Sequence, residues 1–403
     1  MSTDNILFRI NEDKNNIIEL RRWFHAHPES SFKEFETSKK IKEELDKLQI
    51  PYETVGETGV VGIIKGKIDV NNNIPVIALR ADIDALEIEE KNEVEYKSLN
   101  KGLMHACGHD AHISALLEAA KILSEQKDKI SVVIKLIFQP AEEVGKGAVL
   151  IKESGLIDDV NAFFGIHVSS GIETGKISIG KGLVMAGANS LKIVVKGVSG
   201  HGGKPNEAID AIVAGSAIVG SLQQVVSRES SPTEPTVITI GQFNGGTRDN
   251  IIANEVRISG TIRIASEKNR KKVVQSVKRI VKHTAEAYRA TANIESNLAT
   301  VPVINNENLY DVAFEAAKSI VKKENVIEFP ITMATEDFGI YNEIASGFYA
   351  WVGVKKEHEY PHHHEKFDID ENALPIAVAL YVEFVLNYIN RLKWINYDLL
   401  SKL

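Results

Sequence analysis

The amino-acid sequence predicts an α/β protein that carries a smaller α+β domain inserted into it. Short apolar segments alternate with helical periodicity in the first and last parts of the chain, and the order β-α-β-β-α-β fills residues 187–298. A chain of 403 residues is also expected to form two domains rather than one core. We assign residues 1–186 and 299–403 to one discontinuous domain with a mixed, mostly parallel sheet covered by helices, and residues 187–298 to a ferredoxin-like insertion.

The amino-terminal segment is expected to alternate helices and strands. In order, the predicted elements are helices at 12–27 and near 35–48, a strand at 60–65, a polar turn at 71–73 and a buried strand at 76–79. Pro28 ends the first helix, because proline cannot continue a helical hydrogen-bond ladder. The strand at 76–79 leads directly to Asp82.

The central part of the chain continues this alternation. Apolar residues recur at helical spacing from Ile113 to Leu123, and we expect Asp110 to be the N-cap of that helix. Further strands are predicted at 132–138, 162–166 and 348–354. His167 is expected at the end of the strand at 162–166. Within the insertion the predicted strands are 191–196, 237–243, 255–264 and 291–298, and the predicted helices are 207–227 and 267–289.

Four predicted strands are followed, within nine residues, by a carboxylate or an imidazole. These side chains are Asp82, the pair Glu142 and Glu143, His167 and His363. In open α/β sheets ligands bind at the carboxyl ends of the strands, so the four groups are expected at one edge. Random placement of structural residues would not favour that edge.

Residues 105–112 hold the only cysteine and three of the twelve histidines. Each such residue alone is more often structural, but thiolate, imidazole and carboxylate together bind divalent transition metals. The ligand set that we predict for two such ions is Cys107, His109, Glu143, His167 and His363, with Mn²⁺, Zn²⁺, Co²⁺ and Ni²⁺ all open. Glu142 is then available as a general base, and Asp82 as a residue that orients a ligand imidazole.

Three residues of the insertion are candidates for substrate binding. His201 lies between glycines and could donate to an oxyanion, although a surface histidine is almost as good an explanation. Arg263 could hold a substrate carboxylate, or form only a surface ion pair. Asn250 lies beside the middle strands.

Nine segments of the chain resemble the family of metal-dependent amidohydrolases that includes hippurate hydrolases, auxin-conjugate hydrolases, N-acetyldiaminopimelate deacetylases and aminoacylase/carboxypeptidases. The segments are HPE (27–29), RADIDAL (80–86), MHACGHDAH (104–112), FQPAEE (138–143), GIHV (165–168), GHG (200–202), DNII (249–252), GTIR (260–263) and TEDF (335–338). His363, four residues before Phe367, matches as well. The matches cover nearly the whole chain, and the Cys/His and QPAEE segments are very specific.

The resemblance implies a dinuclear site with the same five ligands, Glu142 as general base and Asp82 as a second catalytic acid. It implies that the insertion is a lid that also forms a homodimer, and that His201, Asn250 and Arg263 help to bind substrate. Glu336 is a further family position near the site. The chain departs from the family at Glu87 and Glu365, where proline is usual, and these acids near the cleft mouth are expected to disfavour strongly anionic acyl groups.

The function expected from the resemblance is hydrolysis of N-acyl amino acids by attack of a metal-bound hydroxide, with a glutamate as base. A dedicated N-acetyldiaminopimelate deacetylase, a small-peptide carboxypeptidase and a non-catalytic binding protein on the same fold are the alternatives. Cys107 as a nucleophile is disfavoured, and no Gly-x-Ser-x-Gly motif occurs.

The amino-acid composition limits the classes of partner and the cellular setting that can be expected. The net charge of −8 argues against nucleic acid, and a single cysteine excludes an intrachain disulfide. We find neither a signal peptide nor a run of about 18 apolar residues. The expected setting is the cytoplasm, with a small molecule as the partner and no membrane.

Overall fold

The computed structural model describes residues 3–67, 74–328, 330–357 and 360–400, with side chains as far as residue 394. The predicted turn at 71–73 lies outside these residues. The chain divides into two compact units. The first contains Met1–Val184, Ile304–Pro330 and Asp337–Leu403, and the second contains Met185–Val303 and Ile331–Glu336.

The described residues form nine α-helices and seventeen strands. The helices are α1 (Thr3–Glu12), α2 (Lys14–Ala26), α3 (Phe35–Lys47), α4 (His109–Glu125), α5 (Gly147–Glu153), α6 (Ala211–Gln224), α7 (Glu267–Ala287), α8 (Glu307–Ile320) and α9 (Leu374–Leu400). The strands are β1 (Tyr52–Val55), β2 (Gly59–Lys65), β3 (Val76–Asp82), β4 (Val133–Gln139), β5 (Ala162–Glu173), β6 (Ile177–Ser178), β7 (Gly182–Lys196), β8 (Gly200–His201), β9 (Thr236–Gly245), β10 (Ile251–Ile252), β11 (Glu255–Ile264), β12 (Thr291–Glu295), β13 (Leu298–Thr300), β14 (Val303–Asn305), β15 (Val326–Ile327), β16 (Thr332–Thr335) and β17 (Ser346–Lys355).

The first unit is built on an eight-stranded sheet in the order β1-β2-β4-β3-β5-β17-β6-β15. Its four central strands, β4, β3, β5 and β17, are parallel to one another, whereas β1, β2 and β6 each pair antiparallel with a neighbour. Every residue of β3 is buried, as expected for a parallel strand that is covered on both faces. The predicted α/β class with a mixed sheet is therefore confirmed.

Helix α9 is the central helix of the first unit's core. It packs against α1, α2, α4, α8 and β5. The rings of Phe164 on β5 and Phe384 on α9 stack with their centroids 4.0 Å apart. By length and composition, the segment Glu371–Trp394 is long and apolar enough to cross a membrane, which the sequence analysis missed. However, 67% of its most apolar stretch is buried inside the structure. Burial in the core accounts for its apolar composition.

The second unit contains the β-α-β-β-α-β order that the sequence predicts, as β7, α6, β9, β11, α7 and β12. Its strands lie in the order β12-β7-β11-β9, and all three neighbouring pairs are antiparallel. Helices α6 and α7 pack on each other and on β11. This is the strand order of a ferredoxin-like fold. Residues 331–336 join this unit, a return of the chain that the sequence analysis does not anticipate.

Two predicted helices differ from the observed ones. The predicted helix at 12–27 corresponds to α2 alone, and a separate helix, α1, precedes it. The predicted helix at 207–227 begins only at Ala211, because the Asp210 carboxylate accepts hydrogen bonds from the N–H groups of Ile212 and Val213. Such a side chain satisfies the donors of a first helical turn and so sets the start of the helix.

We expect Phe164→Ala to lower the free energy of unfolding of the first unit by about 3–5 kcal/mol, because it leaves a cavity against Phe384 and Tyr381 in a fully buried site. Urea denaturation followed by near-ultraviolet circular dichroism measures the change. Phe8→Ala is the matched control, since Phe8 is 66% exposed and its loss should change stability by less than about 0.5 kcal/mol. Equal losses in the two variants would contradict the proposed packing.

Candidate active site

The loop before α4 carries Cys107 and His109 into the core of the first unit. Gly108 lies between them with φ of +87°, and a Cβ atom there would lie 2.4 Å from Cγ2 of Val168. Only glycine combines this backbone conformation with so close an approach. Helix α4 begins at His109 with Gly108 as its N-cap, so the N-cap predicted at Asp110 is wrong.

Glu142 and Glu143 follow β4 in a turn that is bound by a buried acid. Ala141 has φ of +54°, which is unusual for a residue other than glycine. The carboxylate of Asp84 accepts hydrogen bonds from the backbone N–H groups of Glu142 (3.1 Å) and Glu143 (3.0 Å). The Glu143 side chain is only 11% exposed, so this pair is not on a solvated helix surface.

His167 and His363 come from two further segments of the first unit. His167 lies in the interior of β5, not at the strand's end as predicted, because pairing with β17 continues through Val168 and Ser169. His363 lies in the loop between β17 and α9 with φ of +64°, and its N–H donates to the carbonyl of Ala106 at 2.8 Å. A left-handed histidine persists only where its surroundings hold it.

The donor atoms of the five predicted ligands lie close together in the first unit. The Sγ atom of Cys107 is 3.5 Å from Nε2 of His167. The Oε1 atom of Glu143 is 3.9 Å from Nε2 of His109 and 3.6 Å from Nε2 of His363. Ligand atoms lie within 4.8 Å of one another in each of three groups: Cys107 with His109 and His167, Cys107 with Glu143 and His363, and His109 with Glu142 and Glu143.

Two of the imidazoles have their ring orientation set by backbone carbonyls. Nδ1 of His109 donates to the carbonyl of Asp84 at 2.9 Å, and Nδ1 of His167 donates to the carbonyl of Val168 at 2.7 Å. A carbonyl oxygen only accepts, so each Nδ1 carries a proton, and in the neutral form of each ring the lone pair is on Nε2. In that form both lone pairs are available to a metal, as is usual for ligand histidines.

The electrostatics of the cluster fit a bound cation. Burial raises the pKa of Glu143 to about 7, and burial together with the Glu143 carboxylate raises the pKa of Cys107 well above its ordinary value. Nε2 of His109 and Oε1 of Glu143 are buried and have no hydrogen-bond partner among the described residues. A soft thiolate with imidazoles and a carboxylate is a donor set for transition metals, so these residues fit the two metal ions that the resemblance implies.

Asp82 is fixed by other residues of the core. Its carboxylate accepts from Nδ1 of His112 (2.6 Å) and from Nη1 of Arg80 (2.7 Å), and it lies 3.6 Å from Nε2 of His109. Burial alone would raise the pKa of Asp82, but His109, Arg80 and His112 outweigh it and hold that pKa well below its usual value. The hydrogen-bonded imidazole is thus His112, which is outside the predicted ligand set. Nε2 of His112 accepts from the N–H of Val168 at 3.0 Å.

A buried ion network connects two of the ligand-bearing segments, and the sequence analysis missed it. Arg21 on α2 is fully buried and forms ion pairs with Asp110 (2.8 Å), Asp368 (3.2 Å) and Glu371 (3.3 Å). Asp110 follows His109 in the chain, whereas Asp368 lies in the segment that carries His363. Neither the charges of these residues nor their spacing in the sequence predicts the ion pairs. The nearest signal in the sequence is the segment HPE (27–29), which resembles the family and comes directly after α2.

The predicted substrate-binding residues all lie in the second unit. His201 and Asn250 are brought together there, because β8 pairs with β10 and the N–H of Gly202 donates to the carbonyl of Asn250 at 2.9 Å. Both side chains are exposed. Arg263 lies apart from them on β11, where its guanidinium donates to the carbonyl of Met333 at 2.6 Å.

The residues with unsettled roles lie in different environments. Glu87 and Glu365, the two departures from the family pattern, are exposed acids of the first unit. Glu336 is buried in the second unit. Nε2 of His362 donates to the carbonyl of Val168 at 3.0 Å, which accounts for this residue structurally.

Relatives of known name are similar to this chain over almost their whole length. Thermostable carboxypeptidase 2 of Saccharolobus solfataricus is 39% identical and aligns over 95% of this chain and 98% of its own. An IAA-amino acid hydrolase of Arabidopsis thaliana, ILR1-like 4, is 35% identical, with 94% and 86% aligned. N-acetylcysteine deacetylase of Bacillus subtilis is 36% identical, with 94% and 98% aligned.

The fold is also found in a solved structure of similar sequence. A Bacillus subtilis protein described as a dinuclear metal binding peptidase superposes with a TM-score of 0.82 at 33% identity, covering 94% of this chain and 99% of its own. Residues 78–387 match the peptidase family M20/M25/M40. The match spans well over half of the 403 residues, and the resemblance to the metal-dependent amidohydrolases is confirmed. The chain belongs to peptidase family M20/M25/M40, whose named relatives are hydrolases of amide bonds.

Proposed function

We propose that the protein hydrolyses the amide bond between a small acyl group and an amino acid with a free carboxylate. The observation that carries this proposal is the convergence of five predicted metal ligands and the Glu142 carboxylate in one largely buried cluster of the first unit. In this proposal Cys107, His109, Glu143, His167 and His363 hold two divalent cations. Mn²⁺, Zn²⁺, Co²⁺ and Ni²⁺ all suit these donors.

Two bound cations would polarise the acyl carbonyl and make water acidic enough to act as a nucleophile near neutral pH. Glu142 supplies the proton transfers. Its carboxylate oxygen lies within 4.8 Å of the donor atoms of His109 and Glu143, and it is not needed as a ligand. It takes a proton from the attacking water and then delivers that proton to the leaving nitrogen. Asp82 stays ionised beside His109 and keeps that ring basic.

The names of the relatives support the choice of an acyl group joined to an amino acid as the substrate. Two of the three named relatives bear names of N-acyl amino acid hydrolases, and the third is named a carboxypeptidase. A short-peptide carboxypeptidase is therefore the second candidate, and a deacetylase dedicated to one intermediate, such as N-acetyldiaminopimelate, is a third. The homodimer, its location in the second unit, the role of that unit as a lid and the cytoplasmic setting stay predictions.

We expect Glu142→Ala to bind metal as the wild type does and to lose about 10²–10⁴-fold in kcat, because it removes the proposed general base but no ligand. Metal content by plasma mass spectrometry and steady-state kinetics on an N-acetyl amino acid check the two halves of this expectation. Glu153→Gln is the control, since Glu153 is an exposed acid of the first unit. Near-native turnover of Glu142→Ala would remove the role of Glu142.

Protein stripped of metal should be inactive and should recover activity when Mn²⁺, Zn²⁺, Co²⁺ or Ni²⁺ is added. A panel of N-acetyl amino acids, N-benzoyl amino acids and dipeptides, tested with each metal, should show the highest kcat/KM for an N-acyl amino acid. A preference for dipeptides would favour the carboxypeptidase. Failure to bind any transition metal would favour a binding protein, and activity that resists chelators but not thiol alkylation would favour Cys107 as nucleophile.

The substrate-binding roles of His201, Asn250 and Arg263 stay predictions. Nδ1 of His201 accepts the N–H of Gly203 at 3.0 Å, so Nε2 carries the proton and can donate to an oxyanion. We therefore expect His201→Ala to lower kcat.

We expect Arg263→Ala to raise KM for substrates with a free carboxylate. The carboxamide analogue of the same substrate is the control for Arg263. A KM that rises equally for acid and amide would contradict carboxylate binding.

A further inference from the structure

Two buried carboxylates hold three consecutive backbone amides of the turn that carries Glu142 and Glu143. Oε1 of Glu34 accepts the N–H of Ala141 at 2.9 Å. Oδ1 and Oδ2 of Asp84 accept the N–H groups of Glu142 (3.1 Å) and Glu143 (3.0 Å). Both acids are fully buried. The left-handed backbone at Ala141 lets successive amides converge on anions in this way.

Asp84 contacts more of the proposed centre than this turn. Its backbone carbonyl accepts Nδ1 of His109 at 2.9 Å and so sets the orientation of that ring. Its Oδ2 atom also accepts the hydroxyl of Ser31 at 2.7 Å. One residue is therefore bonded to the proposed general base and to two proposed metal ligands. None of these contacts follows from the motif in which Asp84 lies.

We propose that Asp84 is a positioning residue for the reaction, whose carboxylate fixes the backbone from which Glu142 and Glu143 project in different roles. This inference rests on the function proposed above. The bonds from backbone amides to an ionised carboxylate are charge-assisted and strong, and they compensate the burial of its charge. Losing one of them lets the turn relax, and a misplacement of about 1 Å at a reacting group costs on the order of 10²-fold in rate.

A pair of isosteric substitutions separates geometry from charge. In Asp84→Asn one carboxylate oxygen becomes an NH₂ group, so one of the two turn amides must face a donor and its hydrogen bond is lost. In Glu34→Gln the amide oxygen can still accept the N–H of Ala141, while the NH₂ group faces the hydroxyl of Thr58. Each substitution removes one buried acid. Ser31→Ala is a third variant, which removes a bond to the Asp84 carboxylate without affecting the turn.

We expect Asp84→Asn to lower kcat by on the order of 10²-fold with little change in KM, and to weaken Co²⁺ binding by about 10–100-fold. Co²⁺ titration of stripped protein, followed by its d–d bands and the thiolate charge-transfer band of Cys107, measures binding without activity. Hydrogen exchange of the amides of residues 141–145 in stripped protein should become faster. Glu34→Gln and Ser31→Ala leave each of the three turn amides with an acceptor, so we expect each measurement to stay within about threefold of wild type.

Native kcat and a native Co²⁺ spectrum in Asp84→Asn would overturn the proposal. Equal losses in Glu34→Gln would overturn it as well, because charge rather than hydrogen-bond geometry would then be responsible. If wild type hydrolyses none of the substrates, the function proposed above fails on its own. In that case the Co²⁺ spectra and the exchange rates still decide whether Asp84 orders the turn.

Discussion

Buried negative charge is the constraint on which the centre of the first unit depends. A thiol and several carboxyl groups are enclosed where ionisation is unfavourable, and each group needs a positive partner or a set of hydrogen bonds. Arg80 and Arg21, both fully buried, supply this for Asp82 and Asp110, and backbone amides supply it for Asp84. Cys107 and Glu143 are left with raised pKa values. The supporting acids are thus neutralised by protein groups, whereas the charges of Cys107 and Glu143 are those that the proposed cations would compensate.

The parts of this arrangement that could be predicted are those set by local sequence. Short apolar segments that end at polar residues correctly predicted β3 and β4. They also predicted the carboxylates at or just after the ends of these strands, Asp82 and the pair Glu142 and Glu143. His167 was expected at the end of the strand at 162–166 but lies inside β5, because no residue after Val168 signals that pairing with β17 continues to Lys355. Asp110 has the chemistry of an N-cap, yet its pairing with Arg21 prevailed over that local preference. Tertiary contacts decided both outcomes.

The supporting residues could not be predicted, because their partners are remote in sequence. Glu34 and Ala141 are separated by 107 positions, Arg80 and Asp337 by 257, and Arg21 and Glu371 by 350. Each pair joins an acid to a base or amide on another element, and the sequence offers many such acids. Substrate choice is likewise undetermined by the donor set, since relatives with different substrate names align over nearly the whole chain.

The discontinuity of the first unit has a consequence for biosynthesis. Strands β3, β4 and β5 emerge early from the ribosome, whereas β17, which pairs with β5, and α9, which packs against β5, are made much later. About 160 residues separate Val184, the end of the first segment, from Ser346, where β17 begins, so a ribosome that adds 5–20 residues per second takes roughly 8–30 s to reach β17. The second unit is contiguous but for Ile331–Glu336 and can begin to collapse during this delay. Until β17 and α9 are made, the nascent sheet exposes apolar surface and an unpaired edge of β5, which are the features that make a folding chain prone to aggregate.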